Sequence, residues 1–303
     1  MPAEGDPSSS SKVERTLLGV VGAGIVGALA CLLVFVTGET PQYLELVFGG
    51  MPHVELATKS SQYIVLKNSA FIVGYDEYRM CPLWVSYRVF QIDEPYDYAR
   101  PDRFIIDSRT SSRISYGDYT STGYTRGLCA PNDAIMTRYG RVAQKETFLM
   151  SNVVPQKGLL NSGPWRDLEN DVKEYAQAFE EVWVITGPVF GTTPDVLRRV
   201  DAHADDRAPK PVQIPDAFYK IIVDVCPDST IRCLSVILPQ AASSTSMRDS
   251  HLGFADFICT VDEIEAATRI DFFSELPDSI EIPLEATRSP GMWNVDTACE
   301  SLL

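Results

Sequence analysis

Histidine is nearly absent from this chain. Only His53, His203 and His251 occur in 303 residues, far apart in sequence, so a histidine-rich metal site is excluded and little imidazole is left for acid–base work. No cysteine pair has the CxxC spacing, which removes the common zinc modules. Basic residues are outnumbered, 26 Lys and Arg against 41 Asp and Glu, for a formal charge of −15. A protein that holds polyanions through its overall charge is therefore not expected. There is no internal repeat, so a solenoid or propeller is not indicated.

What is present begins with an apolar run. Residues 17–37 hold 21 consecutive uncharged positions, long enough at about 1.5 Å per residue to span a bilayer core of about 30 Å. Lys12 and Arg15 precede the run, Glu39 and Glu45 follow it, and the next basic residue is Lys59. This bias predicts a single-pass anchor with a cytoplasmic N-terminus and the rest of the chain on the far side. The run is longer than a signal-peptide core and lacks a small-x-small cleavage site after it, so an anchor is favoured over a cleaved leader. Gly19, Ala23 and Gly27 form a small-residue row of the kind that packs two anchors into a homodimer, although a Gly-rich span without a partner reads the same. The expected organisation is a disordered tail (1–16), the anchor (17–37), a linker (38–60), one large domain (61–285) and a C-terminal tail (286–303). Cys226 and Cys233 flank Pro-Asp-Ser-Thr as hairpin partners would, and either a disulfide or two unpaired thiols fits that spacing.

Within the domain, Tyr63–Lys67 and Phe71–Tyr75 read as a hairpin around Asn68-Ser69, and Trp84–Val89 alternates as a strand. Residues 91–125 have little periodicity, and long irregular stretches in compact domains are often functional. Trp165, Leu168, Val172, Tyr175, Ala176 and Phe179 recur at helical spacing behind Pro164. Val182–Thr186, ended by Gly187-Pro188, Phe218–Val225 and Arg232–Leu238 read as strands, and Thr260-Val-Asp-Glu as a capping box. Strands before and after one long helix indicate a mixed α+β domain.

Five segments then stand in order. They are Gly-Tyr-Thr-Arg-Gly-Leu-Cys-Ala-Pro-Asn (123–132), Glu-Thr-Phe-Leu-Met-Ser-Asn-Val-Val-Pro-Gln (146–156), Leu-Asn-Ser-Gly-Pro-Trp-Arg-Asp-Leu-Glu (160–169), Val-Ile-Thr-Gly-Pro-Val-Phe (184–190) and Ile-Pro-Asp-Ala-Phe-Tyr-Lys (214–220). Together they resemble the DNA/RNA non-specific endonuclease family, with its Asp-Arg-Gly-His motif and ββα-metal fold. The resemblance covers roughly residues 60–285.

The resemblance implies a central antiparallel sheet with flanking helices and Mg²⁺-dependent hydrolysis of DNA or RNA through backbone contacts. Asn161 matches the single protein ligand of the Mg²⁺, a sparse ligand set normal for that hard ion. Glu169 matches the family's helix glutamate. It lies eight residues on, about 12 Å of helical rise, so it is expected to act through water around the ion. Arg126 matches the motif arginine that faces the scissile phosphate, where a fixed guanidinium can stabilise transition-state charge. Arg103 and Arg109 are the candidates for a further phosphate-binding arginine.

One position departs from the family. Where the motif ends in histidine, the general base, this chain has Leu128. Leucine has no lone pair, and loss of a positioned base slows such a reaction by roughly 10²–10⁴-fold. Thr125 in place of the motif aspartate is a milder change. The charge is also unevenly spread. Residues 100–170 hold ten basic and seven acidic residues, whereas 256–285 hold nine acidic and one basic. A basic cleft for a phosphate backbone and ordinary solvated arginines both fit that distribution. Two functions follow: a slowed Mg²⁺-dependent nuclease, or a catalytically inactive homologue kept as a nucleic-acid-binding, inhibitory or structural module.

Overall fold

The computed structural model describes residues 44–55, 62–198, 209–249 and 252–297. Along these run β1 (His53–Val54), β2 (Tyr63–Lys67), β3 (Phe71–Asp76), β4 (Cys81–Phe90), β5 (Thr125–Leu128), α1 (Asn132–Thr147), β6 (Val153–Gln156), α2 (Gly158–Asn161), α3 (Pro164–Ala178), β7 (Glu181–Val189), β8 (Ala217–Val225), β9 (Ile231–Pro239), α4 (Ser244–Asp249), β10 (Ile258–Cys259), α5 (Val261–Thr268), β11 (Ile270–Asp271) and α6 (Asp278–Ala286). Seven strands form one sheet in the order β10-β9-β8-β7-β4-β3-β2, every pair antiparallel. Two short ladders, β5-β6 and β1-β11, stand apart from it.

Strand side chains alternate between faces, and here both faces are buried. On β7, Val182 and Val184 join a core with Tyr75, Val85, Tyr87, Phe218 and Leu234. Trp183 and Ile185 join the opposite core with Trp84, Tyr219, Ile221 and Val223. The first face is covered by α3 through Trp165, Leu168, Val172, Tyr175 and Ala176. The second is covered by Val261, Ile264, Ile270, Phe272, Phe273 and Leu284. Burial on both faces explains why these strands read as continuous apolar runs in sequence.

The expected hairpin forms, with Tyr63 opposite Asp76 and Lys67 opposite Ile72. Pro164 opens α3, and Thr260 caps α5 by accepting from the Glu263 N–H at 3.1 Å. β7 continues through Gly187-Pro188 to Val189, farther than expected. β4 pairs with it only as far as Thr186, so the proline stands where the strand has a neighbour on one side only. The apolar period of α1 is weak in sequence, because beside Ile135 and Met136 its buried residues are small or polar (Ala134, Arg138, Ala143, Gln144, Thr147) and a kink at Gly140 breaks the helix.

Leu46, Val47 and Phe48, in the stretch expected as a linker, are buried in the second core. Trp293, in the expected tail, packs against Tyr175 and Phe179. Cys233 is a free thiol and Cys226 is disulfide-bonded, so the two are not partners.

The expectation of a single-pass membrane protein is corrected. Among the described residues no helix is long and apolar enough to cross a membrane. The longest, α1, has 16 residues, short of the roughly 20 apolar residues a span requires. The 17–37 run, its small-residue row and the cytoplasmic tail before it lie outside the described residues.

Candidate functional site

The site is built on the β5-β6 ladder, which pairs Thr125 with Gln156, Arg126 with Pro155 and Leu128 with Val153. Gly127 is fixed by space. A Cβ there would stand 2.4 Å from Gln156 Oε1 and 2.9 Å from its Cβ, so any larger residue would separate the strands. The chain leaving β5 is held by Asn152. Its Oδ1 accepts from the Ala130 N–H at 2.9 Å, and its Nδ2 donates to the Ala130 and Thr147 carbonyls, each at 3.0 Å. Cys129 N–H donates to the Asn152 carbonyl at 3.0 Å.

After β6 the chain turns into α2, which ends at Asn161. The Asn161 Nδ2 donates to Thr125 Oγ1 at 3.0 Å, and that hydroxyl donates to the Gln156 carbonyl at 2.8 Å. This relay fixes the amide by its nitrogen. The carbonyl oxygen, the only atom of the group with lone pairs for a cation, accepts no hydrogen bond from the described residues. The donor set therefore fits a hard divalent ion: a neutral amide oxygen beside a carboxylate helix.

That carboxylate is Glu169, on α3 and half-buried. Burial pushes it up from its ordinary 4.5 to about 7, offset in part by Lys220, Lys173 and the Trp165 indole. Although part of the residue's surface is accessible, the carboxylate lies among packed atoms. Beneath it Lys220 on β8 is fully buried, its Nζ 4.5 Å over the Trp165 ring and without a hydrogen-bond partner among the described residues. Burial lowers the Lys220 pKa, with Glu169 and Cys129 acting against that shift. Tyr87 Oη, also near Glu169, is buried and unpartnered in the same way. Lys220 closes the 214–220 segment and had no role assigned to it from sequence. Its signal was a lone basic residue inside the apolar run 217–223.

A raised carboxylate has a defined sign in a stability profile. Glu169 contributes stability that is present at acid pH and lost as pH rises through its folded value. Thermal unfolding in EDTA is expected to show a fall in midpoint towards pH 7 that Glu169→Gln flattens. A parallel fall in the variant would remove Glu169 as its source.

Arg126 turns to the 3-10 turn at Tyr116–Tyr119. One of its terminal nitrogens donates to the Tyr116 carbonyl at 2.7 Å, and its guanidinium stands 3.5 Å over the Tyr116 ring. Its Nε is buried and unpartnered, and burial lowers its pKa. Its contacts run to this aromatic wall rather than to Asn161 or Glu169. Arg103 is exposed, with no polar partner among the described residues.

Arg109 is engaged elsewhere. It forms a fork on Asp107 (2.9 and 2.7 Å) and also donates to the Lys67 carbonyl at 2.9 Å and Asn68 Oδ1 at 2.8 Å. Asp107 is buried and takes a further bond from Ser151 Oγ at 2.6 Å. Burial acts to raise the Asp107 carboxyl, but the Arg109 and Ser151 bonds prevail and hold it below its ordinary value. Arg109→Ala removes the charged partner and leaves this carboxylate the Ser151 hydroxyl and the residue-109 backbone N–H, a loss of about 2 kcal/mol once the arginine's partial exposure is discounted. Because the folded value is depressed, that stabilisation is present above the unfolded pKa and lost as pH falls. Urea unfolding of the two proteins should differ at pH 7 and converge towards pH 3.

Leu128 is partly buried and packs against the first core. No histidine takes its place among the described residues. His53 lies on β1 opposite Asp271, a ladder that packs on the second core, and His203 and His251 lie outside the described residues.

The DNA/RNA non-specific endonuclease model matches residues 50–279. A nuclease of Syncephalastrum racemosum is 27% identical over 91% of this chain and 92% of its own length. Bovine mitochondrial endonuclease G is 25% identical over 82% of each chain. The mouse mitochondrial nuclease EXOG is 28% identical over 69% of this chain, which spans only 57% of the mouse protein. In fold, the chain is similar to the crystal structure of an EndoG/EndoGI complex, with a TM-score of 0.65 at 23% identity, covering 80% of this chain and 96% of that one.

Proposed function

Because the chain belongs to the DNA/RNA non-specific endonuclease family, we propose that it is a slowed, Mg²⁺-dependent phosphodiester hydrolase of ββα-metal type, with its cation-holding half retained and its general base lost. The observation that supports this most directly is the Asn161–Thr125–Gln156 relay, which fixes the Asn161 amide by its nitrogen and leaves its oxygen available. Asn161 would hold the ion, with Glu169 as the nearby carboxylate. When bound, Mg²⁺ supplies the positive charge that draws and polarises a phosphodiester.

The other roles fall to the chain's own residues. Lys220 lies beneath Glu169 and favours its ionised form, which makes it a positioning residue. Arg126, braced on Tyr116, and the exposed Arg103 offer cationic groups to a phosphate backbone, which is read without base specificity. At Leu128 no atom can accept a proton from water. Family membership supports nuclease function, and the missing base predicts a low rate.

The test uses the full chain with plasmid DNA and with RNA in Mg²⁺ or Mn²⁺, beside Asn161→Ala. Slow cleavage that disappears in the variant is the expected result. Cleavage unaffected by Asn161→Ala would place the activity elsewhere. No cleavage combined with retained, salt-dependent binding of DNA would favour a nucleic-acid-binding homologue, a function that the missing base at Leu128 also accommodates.

A further inference from the structure

The acidic stretch 256–285 has no part in the nuclease site, yet the fold folds much of it into one place. Asp262 and Glu265 are three residues apart on α5, and Glu281 and Glu285 four apart on α6, spacings that put each pair on one helix face. Asp271 reaches the same place from β11. The ligand atoms of Asp262, Glu265 and Glu285 all lie within 4.8 Å of one another, as do those of Asp271, Glu281 and Glu285.

Two features set this group apart from an ordinary acidic surface. Glu285 is only 8% exposed, and its Oε1 is buried without a hydrogen-bond partner. Among the described residues no lysine or arginine pairs with any of the five. Arg288, the basic side chain nearest in sequence to α6, bonds instead to Glu263 and the Ile258 carbonyl. A buried carboxylate facing other carboxylates stays ionised only where a cation joins them, and otherwise takes up a proton. Glu265 is held in position by the Phe272 N–H, which donates to it at 2.7 Å.

Donor number and donor type select the cation. Ca²⁺ takes about six to eight oxygen ligands, largely from the protein, whereas Mg²⁺ retains its waters and is usually held by only one or two carboxylates. The donors are all oxygens, as Ca²⁺ prefers, with no nitrogen or sulfur for zinc. The two carboxylate triads, which share Glu285, lie on α5, β11 and α6, whose apolar residues belong to the second core, whereas Asn161 and Glu169 lie with α2 and α3 on the first. We propose that Asp262, Glu265, Asp271, Glu281 and Glu285 form a calcium site, separate from the nuclease centre, that fastens α5, β11 and α6 to one another.

The test is thermal unfolding of the full chain carrying Asn161→Ala, so that the other centre does not contribute. Ca²⁺ is added alone, up to about 10 mM, above the weakest range of protein calcium sites, with ionic strength held by NaCl. The midpoint is expected to rise and to keep rising logarithmically beyond the dissociation constant. Glu285→Gln in the same background should abolish the rise without lowering the calcium-free midpoint, because it replaces a carboxyl that burial and acidic neighbours disfavour with a neutral amide of the same shape. Should that variant unfold early, the exposed Asp262→Asn carries the comparison, with calcium affinity expected to fall at least about tenfold. A midpoint indifferent to Ca²⁺, a rise equalled by Mg²⁺, or a rise unchanged in both variants would overturn the site. These outcomes do not depend on whether the protein cleaves nucleic acid.

Discussion

Leu128→His is expected to raise the rate of Mg²⁺-dependent DNA cleavage by about 10²–10⁴-fold, the range that a positioned general base contributes. The backbone around that position is firmly held. Position 128 closes β5 opposite Val153, and the backbone just beyond it is held by the Cys129 and Ala130 bonds to Asn152. The leucine side chain is only partly buried, so an imidazole can take its place with one edge towards solvent. With an ordinary pKa near 6.5, about the value a base needs at neutral pH, it would be largely unprotonated. Leu128→Gln is the control, similar in size and polar but without a basic nitrogen. Initial rates on supercoiled plasmid should rise in the histidine variant alone. Equal rates in the native, glutamine and histidine proteins would show that proton abstraction at this position does not limit the chain.

Arg232→Met is expected to destabilise the domain by about 3–5 kcal/mol, the loss typical when one member of a buried ion pair is removed. Arg232 and Asp224 are paired at 2.7 Å with both side chains almost fully buried. The guanidinium also lies 4.5 Å from the centroids of both the Phe179 and the Trp293 ring, which meet edge to face. Arg232 thus joins β9, the end of α3 and the C-terminal segment. Burial already raises the Asp224 carboxyl, against the Arg232 bond. Without the arginine it moves further up, so the variant's deficit should widen as pH rises from 4 to 7 and the carboxylate is forced to ionise. Urea unfolding across that range measures it. Asp224→Leu combined with Arg232→Met should recover much of the loss, because the buried pair is then replaced as a whole by apolar side chains.

Much of this protein was legible in its sequence. The hairpin around Asn68-Ser69, α3 and the capping box of α5 follow from local periodicity and capping chemistry, which depend on neighbours a few residues apart. The family followed from five ordered motifs, and the same motifs nominate Asn161, Glu169 and Arg126 as candidates. The absence of a base at Leu128 needed no structure, because it is a property of one side chain. Tertiary structure decided what depends on distant residues meeting. It paired Thr125 with Asn161, occupied Arg109 with Asp107, placed Lys220 beneath Glu169 and brought five carboxylates together. It also drew Phe48 and Trp293 into the core and put Cys233 out of reach of Cys226. Hydrophobic pattern reports which residues leave water, but not which of them meet. The apolar run at 17–37 marks the same boundary: its composition suggested a membrane span, but no helix among the described residues supports one.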